Sequence, residues 1–250
     1  MLAFAVIFLV TRVVCGQRAE VDTLQLAQVL FRHGERAPVN YFNFPNDPPE
    51  LRTPFPAELG EMTNHGIEQL FTLGLNLRET YGEFLQYTYI PSQLRVIAGD
   101  DNRTIVSASA ALAALFPPNE AQTWSSQLKW QPIPIHTTRI LDQVNFGLVD
   151  TCERLGAQAT RSKAYRKAYA DNIDLINFLE QKTGFIISDI YMLDRVLDTL
   201  KIRSGMPDLL PLQPWARNQT FLALVKQKSA EINAIVSNMP EVKWLTQGNY

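Results

Sequence analysis

The chain has 250 residues, 46% of them hydrophobic and 19% charged, enough apolar material to bury a full core and too much for a disordered polypeptide. With 23 basic against 25 acidic side chains the formal net charge is -2, which offers no electrostatic basis for binding nucleic acid or an anionic membrane surface. Any positive charge that matters must be local.

Residues 1–10 are an apolar stretch too short to span a bilayer, followed at 11–16 by small residues where a signal peptidase would cut. We read 1–16 as a cleaved signal peptide, and no later segment resembles a transmembrane helix. Cleavage after Gly16 removes Cys15 and leaves Cys152 alone. An odd cysteine in a secreted chain is either a buried structural thiol or half of a disulfide whose partner lies in sequence not contained here.

Leu24 through Phe31 is an apolar run of strand length that ends abruptly at Arg32-His33-Gly34-Glu35-Arg36 and Pro38, and predicts a buried strand delivering a polar loop. The stretch from Pro45 to Pro56 is too proline-rich for regular structure and predicts a surface loop available for substrate contacts. From Thr63, an N-cap, the spacing of Ile67, Leu70, Phe71 and Leu75 predicts an amphipathic helix closing near Tyr81-Gly82. A second strand is expected over 93–98. A helix capped by Asp100-Asp101-Asn102 then runs to Phe116 and stops at Pro117-Pro118.

Strand, loop and helix thus occur twice, the pattern of an α/β sheet with its site at strand C-terminal ends. After about residue 150 strand signals fade and three helical segments are expected, at 161–182, 188–203 and 214–238. The domain reading is a signal peptide at 1–16, the N-terminal part of an α/β domain at 17–150, and a helical domain at 151–250.

Two arginines flanking a histidine within five residues place guanidinium forks and an imidazole around one small volume. Such forks match phosphate oxygens and cannot lose their charge. Their field opposes imidazolium formation, so His33 stays neutral to lower pH than a free imidazole and serves as a nucleophile. Phosphoryl transfer asks for that nucleophile, cations on the equatorial oxygens and a proton for the leaving oxygen. Arg32 and Arg36 supply cations, and Arg103, beside a helix N-terminus whose dipole favours anions, is the third clamp.

At this point the sequence resembles the histidine acid phosphatases of the prostatic and lysosomal type. Arg32-His33-Gly34-Glu35-Arg36-Ala37-Pro38 matches the family signature RHGxRxP. Gly66-Ile67-Glu68-Gln69 with Leu73-Gly74 and Leu77-Arg78-Glu79-Thr80-Tyr81 is similar to the helix that follows. Asp100-Asp101-Asn102-Arg103-Thr104 with Leu112 to Pro118 resembles the second phosphate-binding segment, and Trp130 to Thr137 a further block of this branch.

The resemblance implies a phosphohistidine on His33, phosphoryl oxygens held by Arg32, Arg36 and Arg103, and no metal or organic cofactor. It implies the phosphoglycerate mutase-like sheet flanked by helices, with an inserted helical domain. The substrate expected is a small-molecule or protein phosphomonoester; the place expected is secreted or lysosomal. Family members often form dimers, so a homodimer is consistent with it.

The resemblance also implies a proton donor from a late His-Asp pair. The three histidines here are His33, His65 and His136, and none precedes Asp. His65 and His136 are read as structural. The family's last strands and the disulfide partner of Cys152 are likewise expected beyond Tyr250, so the chain is read as a C-terminally truncated or spliced form. Ile97-Ala98-Gly99 stands where the family usually has Arg followed by hydroxyl residues.

Two alternatives are kept: a catalytically inactive secreted relative that binds phosphate-bearing ligands, and a mutase or inositol-phosphate phosphatase of the same superfamily. The signal peptide speaks against a cytosolic mutase. Of the two sequons, Asn102-Arg103-Thr104 and Asn218-Gln219-Thr220, glycosylation is expected at Asn218, because a glycan beside Arg103 would block the site.

Overall fold

The computed structural model describes residues 23–40, 42–45, 47, 58–141, 157–158, 161–208 and 210–238. The expected signal peptide, Cys152 and the boundary near residue 150 lie outside them. The described elements run α1 (Asn64–Tyr81), β1 (Ile97–Ala98), α2 (Asn102–Leu115), β2 (His136–Thr137), α3 (Lys163–Asp171), α4 (Ile173–Thr183), α5 (Ile190–Gly205) and α6 (Gln219–Ser237). β1 and β2 pair in parallel, Ile97 opposite His136 and Ala98 opposite Thr137. Parallel strands need a long crossover, which here contains α2. No described helix is long and apolar enough to cross a membrane.

The expected buried strand at 24–31 is not formed. Residues 24–34 have no regular secondary structure, and Leu26 is 71% and Leu30 93% exposed. An apolar, extended run becomes a strand only when a neighbour pairs with its backbone, and no ladder joins this run among the described residues. The second strand contracts as well. Residues 91–93 form a 3-10 turn, and only Ile97 and Ala98 are paired.

α1 begins at the expected cap, where the Thr63 hydroxyl accepts from the Gly66 amide at 3.0 Å. Its buried face is made of Gly66, Leu70 and Gly74, while Ile67, Phe71 and Leu75, expected to point inward, remain partly exposed. Small residues win this face because α2 comes very close. A Cβ on Gly74 would stand 2.2 Å from the Ala111 carbonyl oxygen, closer than any real contact. α2 answers with Ala108, Ala111 and Ala114, all buried.

The expected helix at 161–182 divides into α3 and α4 at Asn172, whose side-chain amide turns back to donate to the Ala168 carbonyl at 2.7 Å. α4, α5 and α6 then enclose one core of Leu179, Ile190, Leu193, Leu197, Val225 and Ile232.

The proline-rich stretch departs from a surface loop at its start. Phe44 joins the helical core, and Asp47 is buried against Arg203 of α5. The two Arg203 Nη atoms donate to Asp47 Oδ2 and Oδ1 at 3.0 and 2.8 Å, and Gln213 adds a third donor at 3.0 Å. Burial opposes ionisation of Asp47, but these donors and the Phe44 amide outweigh it and hold its carboxyl below the ordinary range. A guanidinium buried to zero exposure requires such a partner.

Candidate active site

The loop from Arg32 to Pro38 lies across the N-terminal end of α1. A Cβ on Gly34 would fall 2.3 Å from the Gly66 carbonyl oxygen, and one on Gly66 would fall 2.0 Å from the Glu35 carbonyl oxygen. Glycine on both sides is therefore what lets the loop backbone touch the helix. Polar contacts pin the same seam. The Glu35 amide donates to Gln69 Oε1 at 2.9 Å, and the Thr63 amide and hydroxyl donate to the Glu35 carbonyl and carboxylate at 3.1 and 2.8 Å. Arg36 forms an isolated antiparallel bridge with Met62.

α2 ties in the second basic segment. The buried Ser107 hydroxyl donates to the Arg103 carbonyl at 2.6 Å and accepts from the Gly34 amide at 3.4 Å. Arg103 sits in the first turn of α2, where helix-dipole and guanidinium charge add. Asp101, the expected cap, makes no side-chain cap bond; its carboxylate is ion-paired with Arg103.

His33 is at the centre of this charge. Its Nδ1 lies 2.8 Å from the Gly34 carbonyl oxygen. A carbonyl can only accept, so Nδ1 carries the proton and Nε2 keeps the lone pair. Desolvation, opposed by that hydrogen bond and reinforced by Arg32, Arg36 and Arg103, lowers the His33 pKa to about 4. Burial likewise lowers the Arg32 pKa, as do Arg36 and Arg103, while Asp198 counteracts them. The three arginines read from sequence are thus gathered within electrostatic reach of His33. Arg36 is mostly buried, donating from Nη1 to the Ala37 carbonyl at 3.0 Å and from Nη2 to Asp198 at 3.2 Å.

Asp198 and Ser107 were not foreseen. Ser107 sits one helical turn beyond Arg103, a spacing the sequence does display; Asp198 lies 162 residues beyond Arg36 and carries no local signal. Of the other histidines, His65 is exposed on α1 and accepts from Gln69 at 3.2 Å, and His136 is exposed in β2. Among the described residues no group of three or more His, Cys, Asp or Glu is placed to hold a metal ion. The sequons differ in setting. Asn218 is exposed, its Oδ1 capping α6 by accepting from the Thr220 and Phe221 amides at 2.8 and 3.2 Å, whereas Asn102 Nδ2 is engaged by Glu61 at 3.0 Å.

Residues 23–185, which include every member of this constellation except Asp198, match the histidine phosphatase superfamily (branch 2). The chain belongs to that family. Within the histidine phosphatases it is 32% identical over 215 residues to a lysosomal acid phosphatase from Bos taurus, a match covering 84% of this chain and 50% of that protein. It is 31% identical over 222 residues to a prostatic acid phosphatase from Mus musculus, covering 87% and 57%. The chain spans about half the length of the curated relatives it matches.

The fold resembles two solved phytases. That of Hafnia alvei, in complex with myo-inositol hexakis sulphate, aligns with a TM-score of 0.50 at 17% identity over 84% of this chain and 60% of that one. That of Klebsiella sp. ASR1 aligns with 0.51 at 13% identity over 78% and 55%. At these identities the likeness establishes the histidine phosphatase fold: an α/β arrangement with appended helices.

Proposed function

We propose that this chain carries the nucleophilic and phosphate-binding machinery of an acid phosphatase acting on phosphate monoesters. His33 Nε2 attacks phosphorus, the bond from phosphorus to the ester oxygen breaks and that oxygen takes a proton from solvent water, giving a phosphohistidine. Water then attacks phosphorus and releases inorganic phosphate, returning His33. Arg32, Arg36 and Arg103 hold the phosphoryl oxygens through the loose, charge-spread transition state.

The observation that carries this reading is the state of His33: its tautomer leaves Nε2 unprotonated, and a pKa of about 4 keeps the ring neutral in mildly acidic medium. A nucleophile so tuned works where a free imidazole would be largely protonated. The names of the acid phosphatase relatives support the same chemistry. They also support a secreted or lysosomal place; within that reading 1–16 is the signal peptide, 17–150 the N-terminal part of the α/β domain and 151–250 the helical domain. The exposed Asn218 is the glycan acceptor and Asn102 is not; a glycopeptide map with modified Asn102 would overturn either that exclusion or the assignment of Arg103.

A second reading is a phosphate-binding protein without turnover. It is favoured by the two aspartates nearest the arginines, Asp101 and Asp198, both ion-paired and neither a free acid for the leaving oxygen. Missing general-acid help costs about 10²–10⁴ in rate. The test is hydrolysis of an aryl phosphate between about pH 4 and 7, with His33→Ala alongside. The proposal expects slow turnover that His33→Ala reduces at least about a thousandfold, and an acid-labile phosphohistidine on rapid quench. Soluble, folded protein that binds phosphate without hydrolysis establishes the second reading instead.

A further inference from the structure

We infer that Asp198, on the buried side of α5, is a positioning residue that sets the orientation of the Arg36 guanidinium in the phosphate site. The inference rests on the phosphate-binding reading above and adds to it a residue from the helical part of the chain.

Arg36 and Asp198 meet at 3.2 Å with side chains only 12% and 21% exposed, and Lys201 approaches the other Asp198 oxygen at 3.5 Å. Beyond this contact, Arg36 donates only to the carbonyl of its own neighbour Ala37 among the described residues, and its buried Nε finds no partner there. One guanidinium edge is therefore braced by a carboxylate, while Nε remains a buried donor awaiting an acceptor. A phosphoryl oxygen is such an acceptor.

The brace is rigid because α5 grips the loop's continuation at two further points. Thr199, fully buried, reaches the Asn40 carbonyl at 3.4 Å, and Arg203 holds Asp47 through the bidentate pair. Contacts at 198, 199 and 203 match in order the chain from Arg36 through Asn40 to Asp47. Asp198 also offsets charge, since it opposes the mutual repulsion of Arg32, Arg36 and Arg103. Its charge would nevertheless repel a bound anion, so positioning and repulsion predict opposite signs for its removal.

The experiment is calorimetric titration of the full chain with inorganic phosphate, using wild type, Asp198→Ala, Asp198→Asn, Asp198→Glu, Arg36→Ala and the Arg36→Ala/Asp198→Ala double variant. Positioning expects Asp198→Ala and Asp198→Asn to weaken phosphate binding about tenfold, Asp198→Glu to stay within about threefold of wild type, and the double variant to bind no worse than Arg36→Ala alone. The isosteric Asn variant carries the test if Asp198→Ala does not fold. Unchanged or tighter binding by Asp198→Asn overturns the inference, as do losses that simply add in the double variant. Wild-type protein that is folded yet binds no phosphate overturns the phosphate-site reading itself, and the positioning role with it.

Discussion

Leucine and valine populate both the helices from 163 to 237 and the segment from 24 to 31, and their fates are opposite. Leu179, Ile190, Leu193, Leu197 and Val225 lose all contact with solvent, whereas Leu30 is 93% exposed. A helix satisfies its own backbone and needs only a neighbour's apolar face, which α4, α5 and α6 supply to one another. An extended segment must find its hydrogen bonds on another strand. The loop from Arg32 to Pro38 continues directly from that segment, so what holds it and its continuation is α1, through the Gly34 and Gly66 contact, and α5, through Asp198, Thr199 and Arg203.

The largest expected effect tests that dependence. Arg203→Ala leaves the Asp47 carboxylate buried without its partner and costs about 3–5 kcal/mol in urea unfolding. A loss below about 1 kcal/mol would mean that α5 and the loop segment are not energetically joined. Replacing the pair together, Asp47→Leu with Arg203→Met, is expected to cost much less than Arg203→Ala, because no unpaired charge stays behind.

An intermediate effect comes from acid. The unfolded chain protonates His33 near the free-imidazole value of 6.5, whereas the folded site resists until about 4. The unfolded state therefore binds more protons in that window, and the His33 contribution erodes stability as pH falls from about 6.5 to about 4, with no further loss below. Unfolding followed across this range should show a gentler decline in His33→Gln than in wild type. Equal slopes would place His33 in a wetter, less charged setting than the arginines provide.

The smallest effect sharpens the contrast from the other side. Leu30→Gln removes an apolar side chain that already faces water, so stability should move by no more than about 0.5 kcal/mol. A loss of 2 kcal/mol or more, the size of a buried leucine truncation at about 2–5 kcal/mol, would show that a partner covers this run in solution.

Much of the site was legible in the chain itself. The basic cluster is read from residue types at short spacing: Arg32, His33 and Arg36 within five positions, and Arg103 behind a helix-capping sequence. Helix existence was legible too, because 3.6-residue periodicity and caps such as Thr63 are local properties. Which face of α1 packs was misread, since Ile67, Phe71 and Leu75 looked inward by hydrophobicity. Distance of approach decided otherwise, and that depends on α2 and on the loop. The strand at 24–31 was misread for a related reason, that pairing belongs to two segments and sequence displays one.

By itself, then, the sequence determined the clustering of Arg32 and Arg36 about His33 and the run of helices after residue 160, because both rest on residues near one another in the chain. Only the tertiary structure decided that Ser107 links the two basic segments, that Asp198 braces Arg36, and that Asp47 is buried against Arg203. Each is a meeting of groups separated by tens to more than a hundred residues. Burial and charge make such pairs strong, and only the fold brings them within hydrogen-bond distance.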